Sequence, residues 1–242
     1  MKTPFRAVLA LAAILALSGC QKTADAAFGQ KVRAYLLEHP EVIEEAVQKL
    51  QEKKVADAAN LAKAGMVKHR KALERDPRDF VANPGGKITV VEFFDYRCGY
   101  CKTSAPEILQ IIHDNPDVRF VFKEFPIFGG ESTLAAQVAL SPAGKAKGLA
   151  LYQGFMGEKA LDSASIDRHL VAVGIDPAQA RAAGESAAVQ KHIAETRELA
   201  QALGIEGTPA FIVGDRLVPG ADMPALRAAI AAAKASDLKQ VG

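Results

Sequence analysis

Cys98 and Cys101, in the stretch "FFDYRCGYCKTSAP" (residues 93–106), are separated by two residues. That spacing serves three chemistries: half of a zinc site, a small structural disulfide or a redox centre. A structural zinc site needs four protein ligands, and one such pair supplies two. The five histidines stand at 39, 69, 113, 169 and 192, with no pair at ligand spacing along a helix, and His39 and His69 fall in a polar helical stretch. A disulfide closing so short a loop removes little chain entropy and stabilises poorly. Redox chemistry suits the spacing better. At a strand-to-helix junction the first cysteine sits on the helix N-terminus, where unsatisfied amides and the helix dipole favour thiolate over thiol. The second cysteine, one turn on, can reach back and resolve a mixed disulfide.

The surrounding elements fit such a junction. "ITVVEFFD" (88–95) is nearly all apolar and β-branched or aromatic, which reads as a buried central strand. A helix follows from Cys98 to about His113, then a second strand over 117–126. Residues 131–203 carry only helical patterns, punctuated by Pro142, Gly174 and Pro177. "PAFIVGDRLVPG" (209–220) is a strand, a Gly-Asp turn and a partner strand. A last helix follows, with Asp222 as cap and Pro224 in its first turn. The order is an α/β layout interrupted by an all-helical insertion. Glu92 is the one charge in the first strand's apolar run. Buried, its carboxyl would have a raised pKa; on an edge strand it would face solvent. Phe93, Phe94, Phe120 and Phe122 read as core.

Lys2 and Arg6 precede an apolar run over 7–17, too short to span a membrane, and "LSGC" (17–20) follows. This is a signal peptide over 1–20, either with lipid attachment at Cys20 or with ordinary cleavage after "ADA" (24–26). Both routes export the chain to an oxidising compartment and leave Cys98 and Cys101 as the working pair. Residues 21–28 read as a tether and 76–87 as a linker rich in turn formers. Between them, 29–75 reads as a helical stalk: a short helix, a break at Pro40, then a long polar helix from Glu41 to about Arg75. Ile43, Val47 and Leu50 form one apolar seam, and Val55, Ala59, Ala62, Met66, His69 and Leu73 a second in a different register. So narrow a stripe favours self-association, the other reading being a helix laid on its own domain. The net charge is +2, with no basic run to bind nucleic acid.

"CGYCKTSAP" resembles the active-site helix of thioredoxin-fold proteins, with Pro106 inside it. "VEFFDYRC", the helical block and "GIEGTPAFIVG" (204–214) resemble the DsbA-like branch over about residues 80–235. Arg97 departs from thioredoxins, which carry Trp there. "LLEHPEVIEEAVQKLQ" (36–51) is similar to the N-terminal region of suppressor-of-copper-sensitivity C proteins. The resemblance implies a thioredoxin fold over 88–130 and 204–240, with the inserted helical domain at 131–203 and the oligomerisation stalk before it. It implies that Cys98 attacks, Cys101 resolves, Thr208 and cis Pro209 present the substrate backbone, and Glu92 moves protons to and from Cys101, with Lys123 as its partner. Gly99 and Tyr100 carry no charge, so the thiolate should be less stabilised than in the family's strongest oxidants. Thr208 before the cis proline resembles the exported isomerases. The implied function is a periplasmic thiol:disulfide isomerase or reductase acting on misfolded or copper-oxidised proteins. It needs no cofactor beyond its own redox-active disulfide. Its partners would be cysteine-containing clients, a membrane thiol reductase and further copies of itself, as a trimer. A disulfide-donating oxidase and a copper(I)-binding protein using Cys98 and Cys101 are the alternatives.

Overall fold

The computed structural model describes residues 27–241, the side chains of residues 55, 58 and 238–241 excepted. The signal peptide with Cys20, and most of the tether, therefore lie outside the described residues. The chain divides into two compact units, up to Asp57 and from Ala58. In the first, helix α1 (residues 27–38) ends before Pro40 and α2 (Glu41–Lys68) begins. Pro40 lacks the amide to continue α1 but suits the start of α2. Within this unit Leu37, Ile43, Val47 and Leu50 are exposed.

The second unit takes the last turns of α2 and then α3 (Arg70–Glu74). The sequence reads as one helix here, but His69 leaves helical geometry at φ −102° and ψ 13°. Hydrogen bonds from His69 N to Gly65 O and from Leu73 N to His69 O still run across the joint. Ala62, Met66 and Leu73 are buried in this unit's own core, so that part of the second seam lies on the domain rather than projecting from it. Gly65 permits the approach: a Cβ there would stand 2.9 Å from Leu203 Cδ2.

The sheet holds five strands in the order β1-β3-β2-β4-β5. β2 (Ile88–Phe94) is central, parallel to β3 (Val118–Glu124) and antiparallel to β4 (Ala210–Val213). β5 (Arg216–Pro219) closes one edge and β1 (Phe80–Ala82) the other. β1 lies within the stretch that reads as a linker. Three residues are too few to show a period of two, yet Phe80 stacks on Phe122 at 5.2 Å.

Side chains alternate across the sheet. Val90, Phe94, Phe120, Phe122 and Phe211 face one core with α4 (Gly99–Asp114), α7 (Gly148–Gly157) and α11 (Met223–Val241). Val91, Phe93, Val121 and Ile212 face the other, with α3 and α10 (Ala187–Ala202). Everything between β3 and β4 is helical, from α5 (Gly130–Leu140) through α6 (Pro142–Ala146), α7, α8 (Ser163–Ala172) and α9 (Pro177–Gly184) to α10. Asp222 caps α11 by accepting from Ala225 N at 2.9 Å.

Candidate active site

β2 runs out at Phe94, the chain turns through Asp95–Arg97, and Cys98 becomes the N-cap of α4. Asp95 holds this turn. Its buried carboxylate accepts from Arg97 N (2.7 Å), Ile127 N (2.7 Å), Phe128 N (3.0 Å) and Ser132 Oγ (2.7 Å). One side chain thus ties the active-site turn to the start of the helical insertion. Lys102 adds a second tie, donating to the carbonyls of Phe155 (3.0 Å) and Glu158 (2.7 Å).

Both cysteines are free thiols and both are buried. Their environments push them in opposite directions. The Cys98 pKa is lowered to about 5, first by a hydrogen bond from the Cys101 thiol, then by the Thr208 side chain and the Cys101 and Tyr100 amides, against the opposing effect of burial. Burial, and then the same hydrogen bond, push the Cys101 thiol far up. A thiolate–thiol pair is the consequence, with the charge on Cys98.

The Thr208–Pro209 loop lies against this pair. As a thiol, Cys98 donates from Sγ to Thr208 O at 3.1 Å across 110 residues of chain. The Thr208–Pro209 bond is cis. The Thr208 hydroxyl is buried without a hydrogen-bond partner, so a thiolate on Cys98 gives it an acceptor. Beside it opens a cavity of about 310 Å³ lined by Gly207, Thr208, Pro209 and Leu217. Along the other flank of α4 runs an apolar groove of about 590 Å³ that includes Pro106, Leu109 and Met156.

Beneath the pair lies Glu92, fully buried on the central strand. Desolvation raises its carboxyl to about 8, and the Cys98 charge adds to the rise. Among the described residues its one hydrogen-bond partner is Tyr152 of α7, whose hydroxyl donates to Oε1 and Oε2 at 3.2 and 3.3 Å. A second buried acid, Glu124, accepts from Tyr96 at 2.8 Å and is likewise pushed up by burial.

Cys98, Cys101, Thr208, Pro209 and Glu92 therefore converge on one place. Lys123 does not. Glu92 is level with Phe122 in the parallel register, and Lys123 with Phe93, so Lys123 points through the opposite face of the sheet. There it is fully buried and pairs with Asp79. The expected Glu92–Lys123 pair is corrected to Glu92–Tyr152. Tyr152 itself carries no signal in sequence, since an aromatic residue in an apolar helix reads as core. The Asp95 clamp has one faint signal, a polar residue directly after a buried strand.

Residues 89–231 match the model of the DSBA-like thioredoxin domain. The chain belongs to that family. Residues 25–56 separately match the model of the copper resistance protein ScsC N-terminal domain. Among solved structures, BcfH of Salmonella enterica Typhimurium is 31% identical at a TM-score of 0.72, covering 93% of this chain and 99% of that one. ScsC of Proteus mirabilis in a transitional conformation is 32% identical at 0.65, covering 87% and 99%. A thioredoxin-like oxidoreductase from Silicibacter pomeroyi is 39% identical at 0.64, covering 68% and 97%. The thiol:disulfide interchange protein DsbA of Bordetella pertussis is 30% identical over 138 residues, 54% of this chain and 65% of that protein. A 28% match over 167 residues, 66% of this chain, falls in the Na(+)/H(+) antiporter NhaA 3 of Salinispora tropica, of which it spans 26%. Among the described residues no helix is long and apolar enough to cross a membrane.

Proposed function

We propose that this chain is a periplasmic thiol:disulfide oxidoreductase that reduces and isomerises disulfides in exported proteins. The observation that carries the reading is the split between the two thiols: Cys98 pushed down to about 5, Cys101 pushed far up. The Cys98 thiolate attacks a client disulfide; that S–S bond breaks, a mixed disulfide forms, and one client sulfur leaves as thiolate. Two exits follow. In isomerisation the client's own thiolate attacks the mixed disulfide and frees Cys98 as thiolate, with no net change in oxidation. In reduction the ionised form of the Glu92 carboxyl takes the Cys101 proton, and the Cys101 thiolate attacks Cys98 Sγ and releases the client thiolate. The chain is left with a Cys98–Cys101 disulfide; a membrane thiol reductase returns two electrons, Glu92 returns the proton to Cys101, and Cys98 is again the thiolate. Thr208 and Pro209 hold the client backbone beside Cys98.

Three features favour isomerase over oxidase. A pKa of about 5 lies between the ~7 of thioredoxin and the ~3.5 of DsbA. Gly99 and Tyr100 carry no charge, and Thr208 before the cis proline resembles the exported isomerases. The N-terminal match and the exposed Leu37, Ile43, Val47 and Leu50 support a self-associating stalk, read as a trimer. Export, with Cys20 as a lipid anchor, completes the reading. The test is refolding of a scrambled-disulfide protein alongside oxidation of a reduced one. Faster unscrambling than oxidation, with the cellular pool mostly reduced, is expected; the opposite pair of results assigns a disulfide-donating oxidase. Removing residues 28–57 should give a monomer by sedimentation, and an unchanged mass rejects the stalk.

A second reading rests on the same sulfurs and on the N-terminal match to a copper resistance protein. Two adjacent soft thiolates suit copper(I), which would displace the Cys101 proton. A copper(I) competition titration decides it: affinity unaltered by Cys98→Ser rejects it.

A further inference from the structure

On the far face of the sheet, between α3, the turn Asp76–Asp79 and α10, lies a cavity of about 310 Å³ that the redox chemistry does not use. His192 lines it, 3% exposed, and its Nδ1 has no hydrogen-bond partner. The other ring nitrogen is accounted for: Nε2 lies 2.8 Å from Asp79 Oδ1. Lys123 holds the other Asp79 oxygen. A carboxylate only accepts, so Nε2 carries the proton. Asp76 Oδ2 stands 3.9 Å from Nδ1, beyond hydrogen-bond reach, so Nδ1 is left unpartnered on a residue that lines the cavity.

We propose that Asp76 and His192 form a site for one divalent metal ion of the zinc class, completed by water, with Asp79 orienting the imidazole. Carboxylate–histidine–metal is the usual arrangement around a ligating histidine, the carboxylate fixing the tautomer. Two ligand atoms each about 2.0–2.2 Å from one ion stand at most about 4.4 Å apart. The 3.9 Å gap between Nδ1 and Asp76 Oδ2 fits inside that span. Electrostatics agree: Arg78 and Lys123 stand against Asp76, Glu195 and Glu198 at the cavity and Asp79 behind it. Counting these carboxylates and the two cations alone, the balance is two negative charges, which one divalent ion cancels. Arg78 now bridges the carboxylates, reaching Asp76 Oδ2 and Glu195 Oε2 at 2.6 Å each. It is the competing cation that the metal must displace. Imidazole and carboxylate donors select zinc or copper(II) over magnesium or calcium.

The test titrates Zn²⁺ into the full chain with Cys20, Cys98 and Cys101 all replaced by Ser, so that thiols cannot bind it. One ion per chain is expected, with a visible absorption band when Co²⁺ replaces zinc. His192→Gln and Asp76→Asn should each weaken binding at least tenfold. Arg78→Gln should tighten it at least fivefold, which a cluster that is merely a set of ion pairs does not do. If His192→Gln fails to fold, Asp76→Asn, only partly buried, carries the test alone. No stoichiometric binding, or an affinity that ignores these substitutions, overturns the proposal.

Discussion

Replacing Glu92 by Gln should flatten the pH dependence of this protein's stability on the alkaline side. Burial lifts the Glu92 carboxyl from its ordinary 4.5 to about 8. A group whose folded pKa lies above its unfolded one contributes stability that is intact below the unfolded value and lost as pH rises through the folded value. Below about pH 4.5 the acid is neutral in both states and nothing is lost. At about 1.4 kcal/mol per tenfold change in ionisation, the loss is about 3 kcal/mol at pH 7 and levels off near 5 kcal/mol above pH 8. Gln has nearly the same volume, keeps an oxygen for the Tyr152 hydroxyl and never ionises. The Cys98 thiolate also links pH to stability, in the opposite sense. Its folded pKa lies below the unfolded one, so its contribution is lost as pH falls through about 5. Both proteins share that effect, so it cancels in their difference to first order. Urea unfolding of the two reduced chains at matched pH measures this difference. The stabilities should coincide near pH 4.5 and separate by about 5 kcal/mol in favour of Glu92→Gln by pH 9. Parallel curves would refute a buried, strongly perturbed Glu92.

The initial rate of iodoacetamide labelling of Cys98 should be half-maximal near pH 5, while Cys101 stays unlabelled at neutral pH, as intact mass after acid quench will show. Cys101→Ala should move that midpoint up by about one to two pH units, because a hydrogen bond to a charged group contributes about 1.5–3 kcal/mol. Thr208→Val should raise the midpoint as well while leaving urea stability below pH 5 equal or higher, since it removes a buried hydroxyl with no partner in the thiol form. Lys123→Met leaves Asp79 buried beside only His192 and should cost about 3–5 kcal/mol in urea, with the Cys98 midpoint unmoved.

The active-site helix was legible because its parts are local: an apolar strand, a cysteine at the junction, a second cysteine one turn on and Pro106 within the helix. Glu92 was legible as a charge where every neighbour is apolar, although burial itself depended on β2 being central. Thr208–Pro209 is 110 residues from Cys98, and only the resemblance joined them in advance. What escaped was set by tertiary register. Lys123 has the right type and distance along the chain to pair with Glu92, but strand parity sends it through the other face to Asp79. Tyr152 reaches Glu92 from the helical insertion, a contact that no periodicity announces. β1 is too short to show a pattern. The end of α2 has a seam consistent with two partners, and Ala62 and Met66 pack on their own domain.

The central claim is that Cys98 is the attacking thiolate and Cys101 its buried resolver. Two single-cysteine-site variants, Cys101→Ala and Cys98→Ala, each reduced, mixed with glutathione disulfide at pH 6, quenched in acid and mapped by mass, test it most directly. Rapid glutathione addition at Cys98 is expected in the first and essentially none at Cys101 in the second. Equal addition in both, or addition at Cys101 alone, would contradict it.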